Sequence, residues 1–266
     1  MRARILLDGE RPKVRPSELR GIVEAAGMEV GRRRADIGVV VGGDGIFGRF
    51  GRTEDVPLLF VGVRSKRPTD SKARLAEAYL DELPEVLRMV RAGDYEVVEH
   101  KRLQVVKNGR SLGEVFTDVY LERGADSNCL RYRVVINGEG TKIDESAIGD
   151  GVVVSTPAGA TGYYSYPDRV HGGTLDPSAS SAIPADELGV CHIAPTFTER
   201  AGSVGHPLRY TVPWGCVVKL SLSRRADARV FGTAEGRSGI RVGLRDVVVV
   251  CPAEGVTRTI SVKPRA

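Results

Sequence analysis

The 266-residue chain predicts a two-domain α+β fold, an α/β first part followed by an all-β second part. The first part shows a strand–helix–strand rhythm up to residue 93, and beyond Tyr95 the texture becomes alternating segments separated by turn residues. The change is abrupt at Gly93-Asp94, which sets the expected domains at 1–93 and 94–266.

Residues 3–7 read as a first strand, and Ser17 followed by residues 18–26 reads as an N-capped helix closed by Gly27. Residues 37–41, Ile-Gly-Val-Val-Val, are a short apolar run of the kind that forms a fully buried strand. Residues 57–63 repeat that texture, so the three strands form a parallel sheet with a β-α-β start. From 73 to 91, Leu75, Tyr79, Leu83, Leu87 and Val90 recur at helical spacing, in two helices or in one bent at Pro84, and Gly93 stops the pattern. In the second part, residues 96–98, 103–106, 114–121 and 130–136 alternate at period two, with Asn108-Gly109 and Asn137-Gly138 where hairpin turns belong. Residues 151–155, 216–222, 228–232, 239–242 and 246–250 add further strands.

Composition narrows the class. Hydrophobic content of 41% with 27% charged residues is that of a soluble globular protein. No stretch approaches the roughly 18 apolar residues of a membrane span, and Met1-Arg2-Ala3-Arg4 lacks a signal-peptide core, so a cytoplasmic location with no membrane partner is expected. Cys129, Cys191, Cys216 and Cys251 form no C-x-x-C pair and the four histidines no H-x-x-x-H spacing, so no protein-built metal site and no disulfide framework is signalled. The net charge of +5 suits an anionic small substrate, and its spread along the chain, apart from Arg32-Arg33-Arg34, argues against nucleic acid.

The chemistry is concentrated in two glycine-rich turns. Gly42-Gly43-Asp44-Gly45 follows the 37–41 strand directly. Glycines there allow positive φ and bring bare N–H groups close to a polyphosphate, with Asp44 at the carboxyl edge where α/β proteins place ligands. Gly-Asp-Gly also makes ordinary tight turns, so the tetrapeptide alone leaves both readings open. A second strand, beginning at Asp150-Gly151, runs into Thr156-Pro157-Ala158-Gly159-Ala160-Thr161-Gly162-Tyr163, and two such turns on one chain suggest one shared phosphoryl-transfer site.

In their order these motifs resemble the NAD kinase family. Gly42-Gly43-Asp44-Gly45 matches the family's GGDG motif, and Gly93-Asp94-Tyr95-Glu96 its entry into the second domain. Thr117-Asp118 aligns with its Asn-Glu pair, and Asp150-Gly151 with residues 156–163 resembles its second glycine-rich motif. The resemblance implies an N-terminal Rossmann-like α/β domain with a parallel sheet, a C-terminal all-β sandwich, and a site in the interdomain crevice of a homodimer or homotetramer. It implies transfer of a phosphoryl group from ATP or polyphosphate to the 2′-hydroxyl of the adenosine ribose of NAD, with Mg²⁺ or another divalent cation. Asp44 is then the general base. Gly42, Gly43, Gly45, Thr117, Asp118, Asp150, Thr156, Ala158, Thr161, Gly162 and Tyr163 are the implied phosphate- and nucleotide-binding residues.

The chain departs from the family at Thr117, where a hydroxyl replaces an amide able to make a two-pronged contact with adenine. It departs again in the basic loop Arg64-Ser65-Lys66-Arg67, and at Glu235-Gly236 in place of an Asp-Gly turn. These changes motivate an alternative, a kinase of the same fold acting on a nucleoside, polyol or lipid headgroup. Tyr163, Tyr164 and Tyr166 read either as stacking surface or as core. His171 reads as structural or rim-lining, and Asp168-Arg169 has no assigned role.

Overall fold

The computed structural model describes residues 1–10, 13–64, 73–125, 128–170, 182–200, 203–205, 207–233 and 238–262, without the side chains of 169 and 170. The chain forms two compact units, Met1–His100 with Val256–Ala266, and Lys101–Gly255. The division lies a few residues beyond the expected Gly93-Asp94. The last stretch of chain returns to the first unit, a long-range placement that composition does not record.

In the first unit, strands β1 (Arg2–Leu7), β2 (Glu29–Val30), β3 (Ile37–Gly42) and β4 (Leu58–Gly62) form a parallel sheet in the order β2-β1-β3-β4. A short β5 (Ala78–Tyr79) pairs parallel with β4, as does Thr259 near the end of the chain. Helices α1 (Pro16–Ala25) and α3 (Leu83–Ala92) pack Leu19, Val23, Leu87 and Val90 with Val39, Val41, Leu59 and Val61 of the sheet. Phe60, which alternation points to the other face, stacks on Phe47 of helix α2 (Asp44–Thr53) with ring centroids 4.6 Å apart. The sheet therefore carries helices on both faces.

Three local expectations are corrected. Arg15, not Ser17, is the N-cap of α1, because Pro16 takes the first helical turn, where its missing N–H costs nothing. Pro84 does not bend a long helix but stands in the first turn of α3, and residues 73–82 are turns and the short β5. The 114–121 strand is broken into β7 (Arg110–Val115) and β8 (Asp118–Arg123), so Phe116 and Thr117 leave the ladder.

The second unit is an antiparallel sandwich. One sheet runs β15 (Arg209–Pro213), β12 (Glu187–Ile193), β11 (Gly151–Ser155), β8, β17 (Ala228–Phe231), β18 (Ile240–Val242). The other runs β14 (Ser203–Val204), β13 (Phe197–Arg200), β10 (Thr141–Gly149), β9 (Leu130–Gly138), β16 (Val217–Leu222), β19 (Val247–Val262), with β7 beside β6 (Tyr95–Lys107). Val119, Leu121, Val152, Val154 and Val190 of the first sheet share one buried cluster with Tyr132, Val134, Ile136, Leu220 and Val248 of the second. This is the two-layer core expected of a sandwich.

Candidate functional site

In the first unit the site grows from the carboxyl end of β3. Gly42 is the last β3 residue, in register with Gly62 at the end of β4, and Gly43 caps α2 in an extended conformation. Asp44 is the first residue of α2, where a carboxylate faces the positive end of the helix dipole. Its side chain is half-buried, and Oδ1 accepts a hydrogen bond from the Leu75 N–H at 2.9 Å. The segment after the basic loop thus orients the carboxylate through the Leu75 N–H.

The expected positive φ does not occur at Gly42, Gly43 or Gly45. What the glycines supply is clearance. A Cβ on Gly42 would stand 2.8 Å from the Ile46 Cβ, while Gly45 is exposed with nothing within 4 Å of that position. Bare backbone at a helix N-terminus is suited to an approaching phosphate.

In the second unit the break between β7 and β8 lets the second turn lock onto the first sheet. Thr156 is fully buried; its hydroxyl donates to the carbonyls of Phe116 at 2.7 Å and Thr117 at 3.0 Å, and accepts from the Gly159 N–H at 3.3 Å. Its own N–H donates to the Thr117 carbonyl at 2.8 Å. Its hydroxyl holds the turn in place.

Asp118 pairs across the ladder with Ser155, and its carboxyl accepts from the Tyr163 N–H and the Thr117 hydroxyl. Burial is the largest influence on it and those hydrogen bonds offset only part of that, so its pKa is pushed up from 3.8 to about 6. Thr117, Asp118, Thr156 and Tyr163 are therefore brought together. Ala158 and Thr161 are half-buried in the same turn, and Gly162 is exposed. Asp150 is not part of this group. It stands before the other end of β11, paired with Arg123 at 2.9 Å.

All three tyrosine hydroxyls have partners inside the unit. Tyr163 donates to Glu122 at 2.9 Å and its ring meets Tyr120 edge-on at 5.2 Å. Tyr120 in turn stacks on Phe231, and burial pushes its hydroxyl up to about 12. Tyr164 is a core residue. Tyr166 donates to the His192 carbonyl at 2.6 Å.

Sequence reasoning missed a second polar layer between the two sheets. Glu145 and His192 are fully buried and joined at 2.8 Å, with Tyr210 and Arg200 also donating to Glu145. Burial raises the Glu145 pKa, but those hydrogen bonds outweigh it and hold the carboxyl below its ordinary value. The partners are separated by 47 to 65 residues, so no local pattern announces them.

Arg64 bridges Asp81 and Glu82 and lies 4.0 Å over the Tyr79 ring, which engages one cation of the basic loop. Lys66, Arg67, His171 and Glu235-Gly236 lie outside the described residues. Among the described residues no three His, Cys, Asp or Glu side chains gather as a metal cage, and no helix is long and apolar enough to cross a membrane.

No protein-family model matches the chain. The NAD kinase of Citrifermentans bemidjiense is 31% identical over 237 residues, covering 85% of this chain and 72% of that protein. The chain belongs to the NAD kinase family. The NAD kinase of Geobacter sulfurreducens is 29% identical over 239 residues, covering 87% of this family member and 75% of that relative. Among solved structures, an NAD kinase from Archaeoglobus fulgidus in complex with ATP matches with a TM-score of 0.67 at 17% identity, covering 99% of this chain and 94% of the other. Yeast NADH kinase complexed with NADH matches at 0.69 and 15%, covering 99% and 83%. At those identities the two structures establish that this NAD kinase family member has the family's fold.

Proposed function

We propose that this protein is an NAD kinase, phosphorylating the 2′-hydroxyl of the adenosine ribose of NAD to give NADP. The observation that carries the reading is Asp44, a half-buried carboxylate at the end of β3 and the start of α2, oriented by the Leu75 N–H. The ribose oxygen attacks the terminal phosphorus of the donor, its proton passes to Asp44, and ADP leaves. A ribose hydroxyl is a weak nucleophile at neutral pH, and a positioned general base contributes about 10²- to 10⁴-fold. Alignment and charge neutralisation supply the rest, from the bare turn at Gly42, Gly43 and Gly45, and Mg²⁺ or another divalent cation carried on the donor would offset the charge of its phosphates.

Asp118, Thr161, Gly162 and Tyr163 are assigned to the dinucleotide, with Thr117 and Ala158 beside them. The Thr156 hydroxyl is assigned to the turn itself. ATP or polyphosphate as donor, a cytoplasmic setting and a homo-oligomer of two or four copies complete the reading. Incubation of the pure protein with NAD, ATP and Mg²⁺, followed by an NADP-specific assay, tests it. Absence of NADP with both ATP and polyphosphate overturns it.

One observation favours the second reading, a kinase acting on a nucleoside, polyol or lipid headgroup. Thr117 turns its hydroxyl to Asp118 at 3.5 Å and gives its carbonyl to Thr156, so it offers little for an adenine edge. An acceptor screen in which only NAD responds removes that alternative.

A further inference from the structure

The chain leaving the second glycine-rich turn passes through a single 3-10 turn (Tyr163–Ser165) into a five-residue helix (Tyr166–Val170). A helix this short has no stability of its own. Its place is set by a side chain of β15 and by backbone groups at the end of β12. Arg209, which opens β15 in register with Cys191 of β12, donates from Nη1 to Asp168 Oδ2 and from Nη2 to Asp168 Oδ1, both at 2.9 Å. Nη1 also reaches the Tyr164 carbonyl at 3.4 Å, and the guanidinium lies 5.1 Å over the Tyr164 ring. One arginine therefore holds the 3-10 turn and the short helix together. The two side chains are only 17% and 18% exposed, and the Asp168 carboxylate raises the Arg209 pKa further. A two-pronged, largely desolvated pair of this kind is geometrically specific in a way that a surface ion pair is not.

A second tie runs parallel to it. The Tyr166 hydroxyl donates to the His192 carbonyl at 2.6 Å and accepts from the Ala194 N–H at 2.9 Å. Thr161 and Gly162, just before the anchored segment, remain accessible. The anchored residues lie outside the main sandwich core, which is built without them.

We infer that Arg209 and Asp168 are positioning residues for nucleotide binding: their paired contact holds Thr161, Gly162 and Tyr163 in the conformation that receives the dinucleotide. Binding then avoids the entropic cost of ordering the turn. The inference rests on the assignment of those three residues to NAD in the proposed function, and it gives Asp168 the role that its sequence context did not.

Initial-rate kinetics and thermal unfolding of Asp168→Asn, Asp168→Glu and Asp44→Asn test it together. Asp168→Asn is expected to raise the KM for NAD by roughly tenfold, with kcat within about twofold and little change in Tm. Asp168→Glu, which keeps a carboxylate for the guanidinium, recovers most of the loss. Should Asp168→Asn not fold, Arg209→Lys carries the same expectation, since it keeps the cation and removes the fork. An unchanged KM in these variants, a KM that rises only in step with a falling Tm, or Asp168→Glu no better than Asp168→Asn overturns the inference. Asp44→Asn separates the two levels. Full turnover in that variant removes the proposed base, whereas an inactive Asp44→Asn beside a wild-type-like Asp168→Asn overturns only the positioning role.

Discussion

The two glycine-rich turns follow buried strands in the same way, yet they are constructed differently. The Gly42–Gly45 turn carries a carboxylate on the first residue of a helix, beside a glycine with open space around it. The turn after Ser155 is closed on itself: Thr156 is fully buried with three hydrogen bonds through its hydroxyl, and a Cβ on Gly159 would stand 2.7 Å from the Thr117 carbonyl carbon. The first turn leaves backbone exposed at Gly45, while the second uses its own polar groups to hold a shape. The same residue type stands in open space at Gly45 and clears the protein's own backbone at Gly159.

The largest expected effect distinguishes chemistry from binding. Asp44→Asn keeps the shape of the side chain and removes the base, so kcat should fall by about 10²- to 10⁴-fold while nucleotide affinity, followed by titration, is retained or improved. Equal activity in that variant would erase the contrast between the turns.

Glycine replacement sharpens the contrast next. Gly159→Ala drives a methyl into backbone and should cost up to about 3 kcal/mol in denaturant unfolding. Gly45→Ala meets nothing within 4 Å and should leave stability unchanged or raise it by up to about 1 kcal/mol, while raising the KM for nucleotide roughly tenfold as the methyl meets the phosphates. Stability loss at position 45 and none at 159 would reverse the comparison.

Thr156→Val keeps the volume and removes the hydroxyl that serves Phe116 and Thr117, with an expected loss of about 2 kcal/mol. A wild-type unfolding midpoint would show that the turn is held by other contacts.

The smallest effect depends on pH. The folded-state pKa of Asp118 is raised from 3.8 to about 6, so ionisation opposes folding. Its favourable contribution is fully present below the unfolded value and is lost as pH rises through the folded one. Asp118→Asn should therefore match the wild type near pH 4 and gain about 1 kcal/mol at pH 8, allowing for solvent screening. Melting curves at the two pH values check this, and an advantage confined to acid would give Asp118 a lowered pKa instead.

How much was legible depended on whether the signal was local. The strand before Asp44 was readable because its residues are apolar in succession and end in glycine. Helix α2 was not, because Gly45, Gly48 and Gly51 lower its propensity; it forms because Phe47 stacks on Phe60 and buried Gly48 and Gly51 lie on its packed side. Residues 73–91 read as two helices or as one bent at Pro84, whereas Pro84 stands in the first turn of a single helix. Thr117-Asp118 was legible as resemblance to the family's Asn-Glu pair, while its contact with the second turn, through two carbonyls released by a strand break, was not.

By itself the sequence determined most of the strands, the change of texture near Tyr95, and the presence of a carboxylate between glycines, since each rests on neighbouring residues and their side-chain periodicity. Only the tertiary structure decided which hydroxyls are consumed internally, that Asp168 belongs to Arg209, and that Glu145 and His192 meet between sheets. Those contacts join residues 41 and 47 positions apart. Their strength comes from burial and geometry that exist only once the chain has closed on itself.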